Sequence, residues 1–397
     1  MTTAARSGTY LAVLSVLGVT HLLNDLMQSL IPAVYPILKA SYALDFAQIG
    51  MITLTFQVAG ALLQPVVGMV TDRRPAPYSP VAGMMFTLTG LISLAFAASY
   101  AMILMSVALI GIGSSIFHPE ATRTARYAAG GRQGLAQGIF QVGGQTGGAL
   151  GPVLAAFIIV PWGQPSLAWF AVAALTAMIL LTWIGSQQAR ISAAFAQLRA
   201  QTRKGSDTPQ HSRPTVAVGL VVLTLLMFIK NAYGESFRSF YTFYLIERFE
   251  VSIRSSQMML FVFLLAAAVG VLVGGIVGDR IGRYRIIWIS ILGPLPLTLL
   301  LPYVDLFWTG VLTVMINLIM ASAFASILIY AMELLPNRIG LIGGLFYGLN
   351  FGLAGIAAAM LGVVADSYGV ETLYQICAFL PVAGLHVDLP GAGRCWH

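Results

Sequence analysis

A chain of 397 residues that is 58% hydrophobic and 9% charged, with a mean hydropathy of +0.85, lies far from water-soluble globular proteins, in which about a quarter of the residues are charged. This excludes a soluble enzyme or a nucleic-acid-binding domain and leaves an integral membrane protein, so the net charge of +7 has to come from topology. Two cysteines, Cys377 and Cys395, do not make a disulfide framework.

Apolar stretches of about 20 residues, the length that crosses roughly 30 Å of hydrocarbon as a helix, recur along the chain. The first covers residues 10 to 38 and is expected to be retained, since no cleavage site follows its apolar core. It contains "HLLNDLMQSLIPAVYP", in which His21, Asn24, Asp25 and Gln28 share one helical face. A charge at midspan costs about 2.5 to 3.5 kcal/mol on insertion scales, which makes such residues functional candidates. Asp25 reads either as a proton carrier or as a carboxylate permanently paired with Lys230 or another helix. His21, Asn24 and Gln28 are candidate substrate contacts.

The second span, 47 to 70, carries Gln57 and Gln64 and ends in "GMVTDRR". Spans at 79 to 99 and 101 to 126 follow, the latter ending in "FHPEATR", where His118 and Glu120 are proton-coupling candidates and Arg123 a substrate candidate. An interfacial charge cluster that simply ends the span is the alternative there. One His and one Glu two residues apart are too little for a metal site, and none is expected. The fifth span, 134 to 160, bears Gln141 and Gln145 and is rich in glycine; the sixth covers 166 to 187.

A polar stretch at 189–214 reads as a linker between residues 1–188 and residues 215–397. Beyond it lie spans at 215 to 246, 255 to 278, 286 to 303, 308 to 333, 341 to 364 and 372 to 388. The seventh holds Lys230, Asn231, Tyr233, Glu235 and Arg238, with Tyr241 and Tyr244 fitting an aromatic belt as well as a lining. Asn317, Glu333 and Asn350 follow in the tenth and eleventh. The end, "VAGLHVDLPGAGRCWH", is polar where helix is expected, so the twelfth span is short or altered. Strand-built barrels are excluded by these run lengths.

Lys and Arg fix the orientation. Arg73, Arg132, Arg203, Arg280 and Arg338 fall on one side with most of the other basic residues, whereas Lys39, Arg248 and Arg254 fall on the other. The positive-inside rule then puts both termini in the cytoplasm.

The two sixes repeat. Asp279 in "GIVGDRIGRYR" follows Asp72 in "GMVTDRR" by 207 residues, and Arg338 in "NRIGLIGGLF" follows Arg132 in "GRQGLAQGIF" by 206. Parallel repeats place a substrate site between them near midplane.

These loops resemble the signature loop of the major facilitator superfamily, complete in Gly275, Asp279, Arg280, Gly282 and Arg283. The first copy, with Gly68, Asp72 and Arg73, departs from it at Pro75 and Ala76. The resemblance implies an all-α membrane fold of twelve helices in two six-helix bundles, with these loops latching the halves; topogenic arginines beside a helix-end Asp are the other reading. Gly138, Gly147, Gly151 and Pro152 resemble the antiporter motif of that family, ending in Ala155 and Ala156 in place of two glycines. Small residues one turn apart also serve plain helix packing. The fourth span has Val107 where many members carry Arg, so coupling falls to other residues.

More closely, "HLLNDLMQSL", "GSSIFHPEATR", "GLAQGIFQVGG" and "ELLPNRIGLIGGLF" resemble the phosphonate-antibiotic exporters of that family. This implies a monomeric drug/proton antiporter of the bacterial inner membrane, driven by the proton motive force without a cofactor and working on protons, a small-molecule drug and a lipid bilayer, with no nucleic acid. Lys230 is the foremost cation for the phosphonate. A facilitator importing or exchanging a small organic anion or sugar is the alternative. An enzyme would need a nucleophile or ligand set that the chain lacks.

Overall fold

The computed structural model describes residues 10–73, 76–129, 133–202, 213–323, 326–327 and 339–383. All regular structure among them is helical. The first half comprises α1 (Leu11–Ala33), α2 (Tyr35–Tyr42), α3 (Phe46–Arg73), α4 (Ser79–Ala95), α5 (Tyr100–Ala128), α6 (Gln133–Leu154), α7 (Val160–Trp162) and α8 (Ala171–Thr202). The second comprises α9 (Arg213–Phe249), α10 (Ile253–Ile281), α11 (Arg283–Leu292), α12 (Leu295–Leu300), α13 (Leu306–Ala321), α14 (Ile339–Tyr368), α15 (Val370–Cys377) and α16 (Leu380–Ala383). Among the described residues, eight helical stretches are long and apolar enough to cross a membrane, and four shorter apolar helices, at 79–95, 306–321, 352–368 and 370–382, complete the expected dozen.

Several expected spans are jointed. The first breaks at Val34, between Pro32 inside α1 and Pro36 near the start of α2, because proline removes an intrahelical donor and crowds the preceding turn. The ninth breaks at Gly293 and Pro294 into α11 and α12. Three residues after Pro152 the fifth span passes into a π-turn, Ala155–Ile159, a common form of helix irregularity. α8 runs on as helix to Thr202, well into the stretch read as linker. α15 and α16 cover Val370–Cys377 and Leu380–Ala383 of the twelfth span, and the polar end lies outside the described residues.

Helix starts follow from local chemistry. Ser99 Oγ caps α5 by accepting from Met102 N–H at 3.3 Å, and Asp305 Oδ1 caps α13 by accepting from Trp308 N–H at 2.9 Å. Gly282 stands between α10 and α11 with φ of 92°, a conformation that suits glycine and gives the sharp turn of the second signature loop.

Lipid supplies no hydrophobic drive between helices, so close packing has to hold them together. Glycines let backbones meet: Gly111 lies against Phe56 O (α5 on α3), Gly83 against Gly113 O (α4 on α5), and Gly143 and Gly147 against the backbones of Gly18 and Leu22 (α6 on α1). Between the halves, α3 packs on α14 and α6 on α10. Gly50 meets the Ala358 backbone and Gly362 the Phe46 backbone at the first of these contacts. Large apolar side chains such as Ile179, Val172 and Val221 point outward, as a lipid-facing belt requires.

Candidate functional site

Asp25, His21 and His118 meet between α1 and α5. His21 Nε2 lies 3.1 Å from Asp25 Oδ2, and His118 Nε2 lies 3.5 Å from Asp25 Oδ1. His21 and His118 are buried, whereas the Asp25 side chain is 26% exposed. Their other ring nitrogens fix the tautomers. His21 Nδ1 is 2.7 Å from Phe140 O, and His118 Nδ1 is 3.0 Å from Ser114 O. A carbonyl only accepts, so both Nδ1 atoms carry hydrogens. Each Nε2 therefore faces the carboxylate either with a lone pair, which repels, or with an added proton, which binds.

The triad thus brings two imidazoles onto a single carboxylate, each able to take an added proton there. Asn24 Nδ2 donates to Asp25 Oδ1 at 3.0 Å, Ser114 Oγ donates to Gln28 Oε1 at 3.2 Å, and the His21 ring stacks on Phe140 with centroids 3.9 Å apart. The ligand-type atoms of His21, Asp25 and His118 lie within 4.8 Å of one another, a spacing that also fits a metal ion.

The glycine-rich stretch of α6 makes room for this group. A Cβ on Gly144 would stand 2.5 Å from His21 Nε2 and 2.8 Å from Asp25 Oδ2. Of the motif positions, Gly147 abuts the Leu22 backbone and Gly151 abuts Ser29, whereas Gly138 has open space where a Cβ would lie.

Glu120 is almost completely buried and is held bidentately by Arg123 Nη2 at 2.6 and 2.7 Å. That ion pair sets Glu120 apart from Asp25, and it occupies Arg123. The paired-carboxylate reading of Asp25 finds its partners in the two histidines, not in Lys230. Lys230 instead donates to Ser290 Oγ at 2.8 Å, in a crevice with Tyr233, Ile291, Pro294, Met320 and Pro381. The Tyr233 hydroxyl is buried without a hydrogen-bond partner. Asn231 is half-buried on the same helix.

Glu235 is buried, accepts from Ser239 Oγ at 2.8 Å and lies 3.7 Å from Arg238, whose side chain is 46% exposed. Tyr241 and Tyr244 are fully buried in an aromatic cluster with Phe237, Phe263 and Tyr374 and form no belt. Their burial against α10 and α15 packs the core of the second half.

Asn317 Nδ2 is committed to Phe263 O at 2.6 Å, an interhelical bond between α13 and α10. Gln57 and Gln64 are buried and each keeps one amide atom without a partner. Gln141 and Gln145 are half-buried on α6. Gly68, Asp72 and Arg73 fall in the last turns of α3, and Gly275, Asp279 and Arg280 in α10, with Arg283 opening α11. The side chains of these charged residues, and that of Asn350, lie outside the described residues, as does Glu333.

A two-halved helical bundle with ionisable groups at midspan is the architecture of a secondary transporter. The family model of the Major Facilitator Superfamily matches residues 17–384, and the chain belongs to that superfamily. Among curated relatives, the "Fosmidomycin resistance protein" of Escherichia coli (strain K12) is 52% identical over 384 residues, covering 97% of this chain and 93% of the relative. The "Uncharacterized MFS-type transporter YfnC" of Bacillus subtilis (strain 168) is 38% identical, covering 97% and 95%. Solved structures share the fold at low identity. The nucleoside transporter NupG has a TM-score of 0.71 at 13% identity, covering 94% of this chain and 98% of its own. A bacterial homologue of the human lysosomal transporter Spinster, in an inward-facing and occupied conformation, scores 0.69 at 14%, covering 96% and 98%.

Proposed function

We propose that this chain exports fosmidomycin, a phosphonate antibiotic, and other drugs across the bacterial inner membrane in exchange for protons. The observation that carries the reading is the 52% identity, over 97% of the chain, to a protein named for fosmidomycin resistance. The arginine-rich end, where α3 closes at Arg73, is assigned to the cytoplasm by the positive-inside rule, and the end bearing Lys39, Arg248 and Arg254 faces out. The transporter works as a monomer in the bilayer, with the proton motive force as its only energy source.

The His21–Asp25–His118 group is the main proton carrier. It loads when the outer end is open and discharges when the inner end is open, while the drug moves the other way. Lys230 supplies the cation for the phosphonate. About 2.3 kcal/mol is available per charge per 100 mV, and at about 1.4 kcal/mol per tenfold each charge moved sustains a gradient of roughly fiftyfold. Export of an anion against an entering proton is electrogenic.

Everted vesicles with a respiration-driven pH gradient test this. Added fosmidomycin should dequench a lumen-pH dye in vesicles with the parent protein, and should not with well-expressed Asp25→Asn. A parent that gives no response overturns drug and proton exchange, and uptake of an organic anion or sugar then becomes the reading to measure.

A further inference from the structure

A row of four buried side chains crosses from one half of the molecule to the other. Tyr35 Oη on α2 lies 2.6 Å from Thr53 Oγ1 on α3, Thr53 Oγ1 lies 3.2 Å from Ser239 Oγ on α9, and Ser239 Oγ donates to Glu235 Oε1 at 2.8 Å. None of the four is more than 3% exposed. Each hydroxyl has a single proton to give. With Glu235 ionised, Ser239 spends its proton on the carboxylate, and the row can run from Tyr35 through Thr53 to Ser239. Run that way, the whole row points its donors toward the charged carboxylate.

Tyr35 and Thr53 belong to the first half and Ser239 and Glu235 to the second, all toward the end read above as outer. The Thr53–Ser239 bond is the joint between them. Around the row the outer ends are packed shut: Phe46 sits edge-on to Phe240 and Phe243, and Gln257 Nε2 donates to Ala33 O at 2.9 Å. Among the described residues, the titratable groups facing Glu235 are Arg238 on its own helix and the Tyr35 hydroxyl of α2, reached through Thr53 of α3.

We propose that Tyr35, Thr53 and Ser239 form an interdomain hydroxyl row that ties the protonation of Glu235 to the closing of the outer gate. Closure assembles the row and supports the charged carboxylate. When the halves part, α3 withdraws Thr53, whose hydroxyl keeps only partners of its own half, Tyr35 Oη and the Ile49 carbonyl; Ser239 stays on the carboxylate but loses the donor behind it, and Glu235 takes a proton from the outer water. On reclosing, the row re-forms and Glu235 gives up its proton. Linkage is reciprocal, so protons that favour opening are themselves bound by opening. This makes Glu235 a second coupling site distinct from the Asp25 group, and in that use it rests on the proton-exchange reading.

The gate itself can be read without drug. Spin labels on Ala98→Cys and Tyr303→Cys, in the outer loops of the two halves, report the outer separation in a background where Cys377 and Cys395 are replaced. The expected result is an open fraction that rises about tenfold on acidification, which is a bias of about 1.4 kcal/mol. Glu235→Gln should flatten that response. Thr53→Val, which keeps shape and removes the hydroxyl, should flatten it and hold the gate more open in alkaline buffer, and Thr53→Ser should restore it. An acid response that persists in Glu235→Gln, or keeps its full size in Thr53→Val, overturns the proposal, as does a parent gate indifferent to pH. A silent lumen-pH dye with an intact gate response would instead overturn drug and proton exchange alone.

Discussion

The carboxylate of Asp366, near the end of α14, caps the first turn of α3 from the opposite half, accepting from the N–H of Phe46 at 2.7 Å and of Ala47 at 2.6 Å. A helix start leaves such N–H groups without intrahelical partners, and a carboxylate there also meets the favourable end of the helix dipole. Lys39 completes the corner, donating to Leu44 O and lying over the Phe46 ring at 4.3 Å. Loss of a helix cap costs about 1 kcal/mol, and this one is made only while the outer ends are together. Asp366→Ala is therefore expected to raise the outward-open population several-fold, read with the same label pair, with little change in thermal stability. An unchanged distance distribution would show that the cap is incidental to gating.

Gly144 is the residue that admits the proton site. Alanine there would push on His21 and Asp25, both held by fixed partners, the Phe140 carbonyl and the Asn24 amide. We expect Gly144→Ala to fold but to lose most drug-driven proton movement. Gly148→Ala, where an added Cβ meets nothing within 4 Å, is the control and should behave as the parent. Equal activity of the two variants would detach the α6 glycines from the coupling chemistry.

Glu120 and Arg123 make a buried pair of another kind. Removing one partner of such a pair strands the other charge and costs about 3 to 5 kcal/mol. Glu120→Gln should thus lower the melting temperature and the folded yield in detergent, while the protein that does fold still moves protons when drug is added. A normal melting temperature combined with lost proton movement would return Glu120 to the proton path.

The spans could be read because they depend on composition and length alone. Their joints at Pro36 and Pro294 have a local cause in the prolines, but the spans 10 to 38 and 286 to 303 read as unbroken. The continuation of α8 to Thr202 was not legible, since a polar helix end looks like a linker when its surroundings are unknown. In the site, the spacing of His21 and Asp25 by four residues already put them on one face, but the arrival of His118 from α5 depends on how α1 and α5 pack. Tyr241 and Tyr244 were misjudged in one of their two readings for the same reason: an aromatic near a helix end looks like a belt until α15 is seen to cover it. The bonds from Thr53 to Ser239 and from Asp366 to Phe46 join residues 186 and 320 positions apart and leave no mark in any local pattern.

Lys230 is a half-buried amine whose hydrogen bond goes to a hydroxyl, Ser290 Oγ, with no carboxylate in ion-pair reach among the described residues. An uncompensated charge in such a place is costly, and an anionic cargo offsets that cost when it binds. The unpartnered Tyr233 hydroxyl lines the same crevice and offers a further donor. Lys230→Gln is expected to raise the KM for fosmidomycin by about tenfold or more, the loss of about 1.4 kcal/mol or more of binding, with a smaller effect on the maximal rate. Tyr233→Phe should give a milder shift in the same direction. Lys230→Arg keeps the charge but spreads it over a planar fork that the Ser290 contact does not suit, so it should rescue only in part. Initial rates of drug-driven proton movement across a range of fosmidomycin concentrations give all three values, and an unchanged KM in Lys230→Gln would move the phosphonate contact elsewhere, with Arg238 the next cation to test.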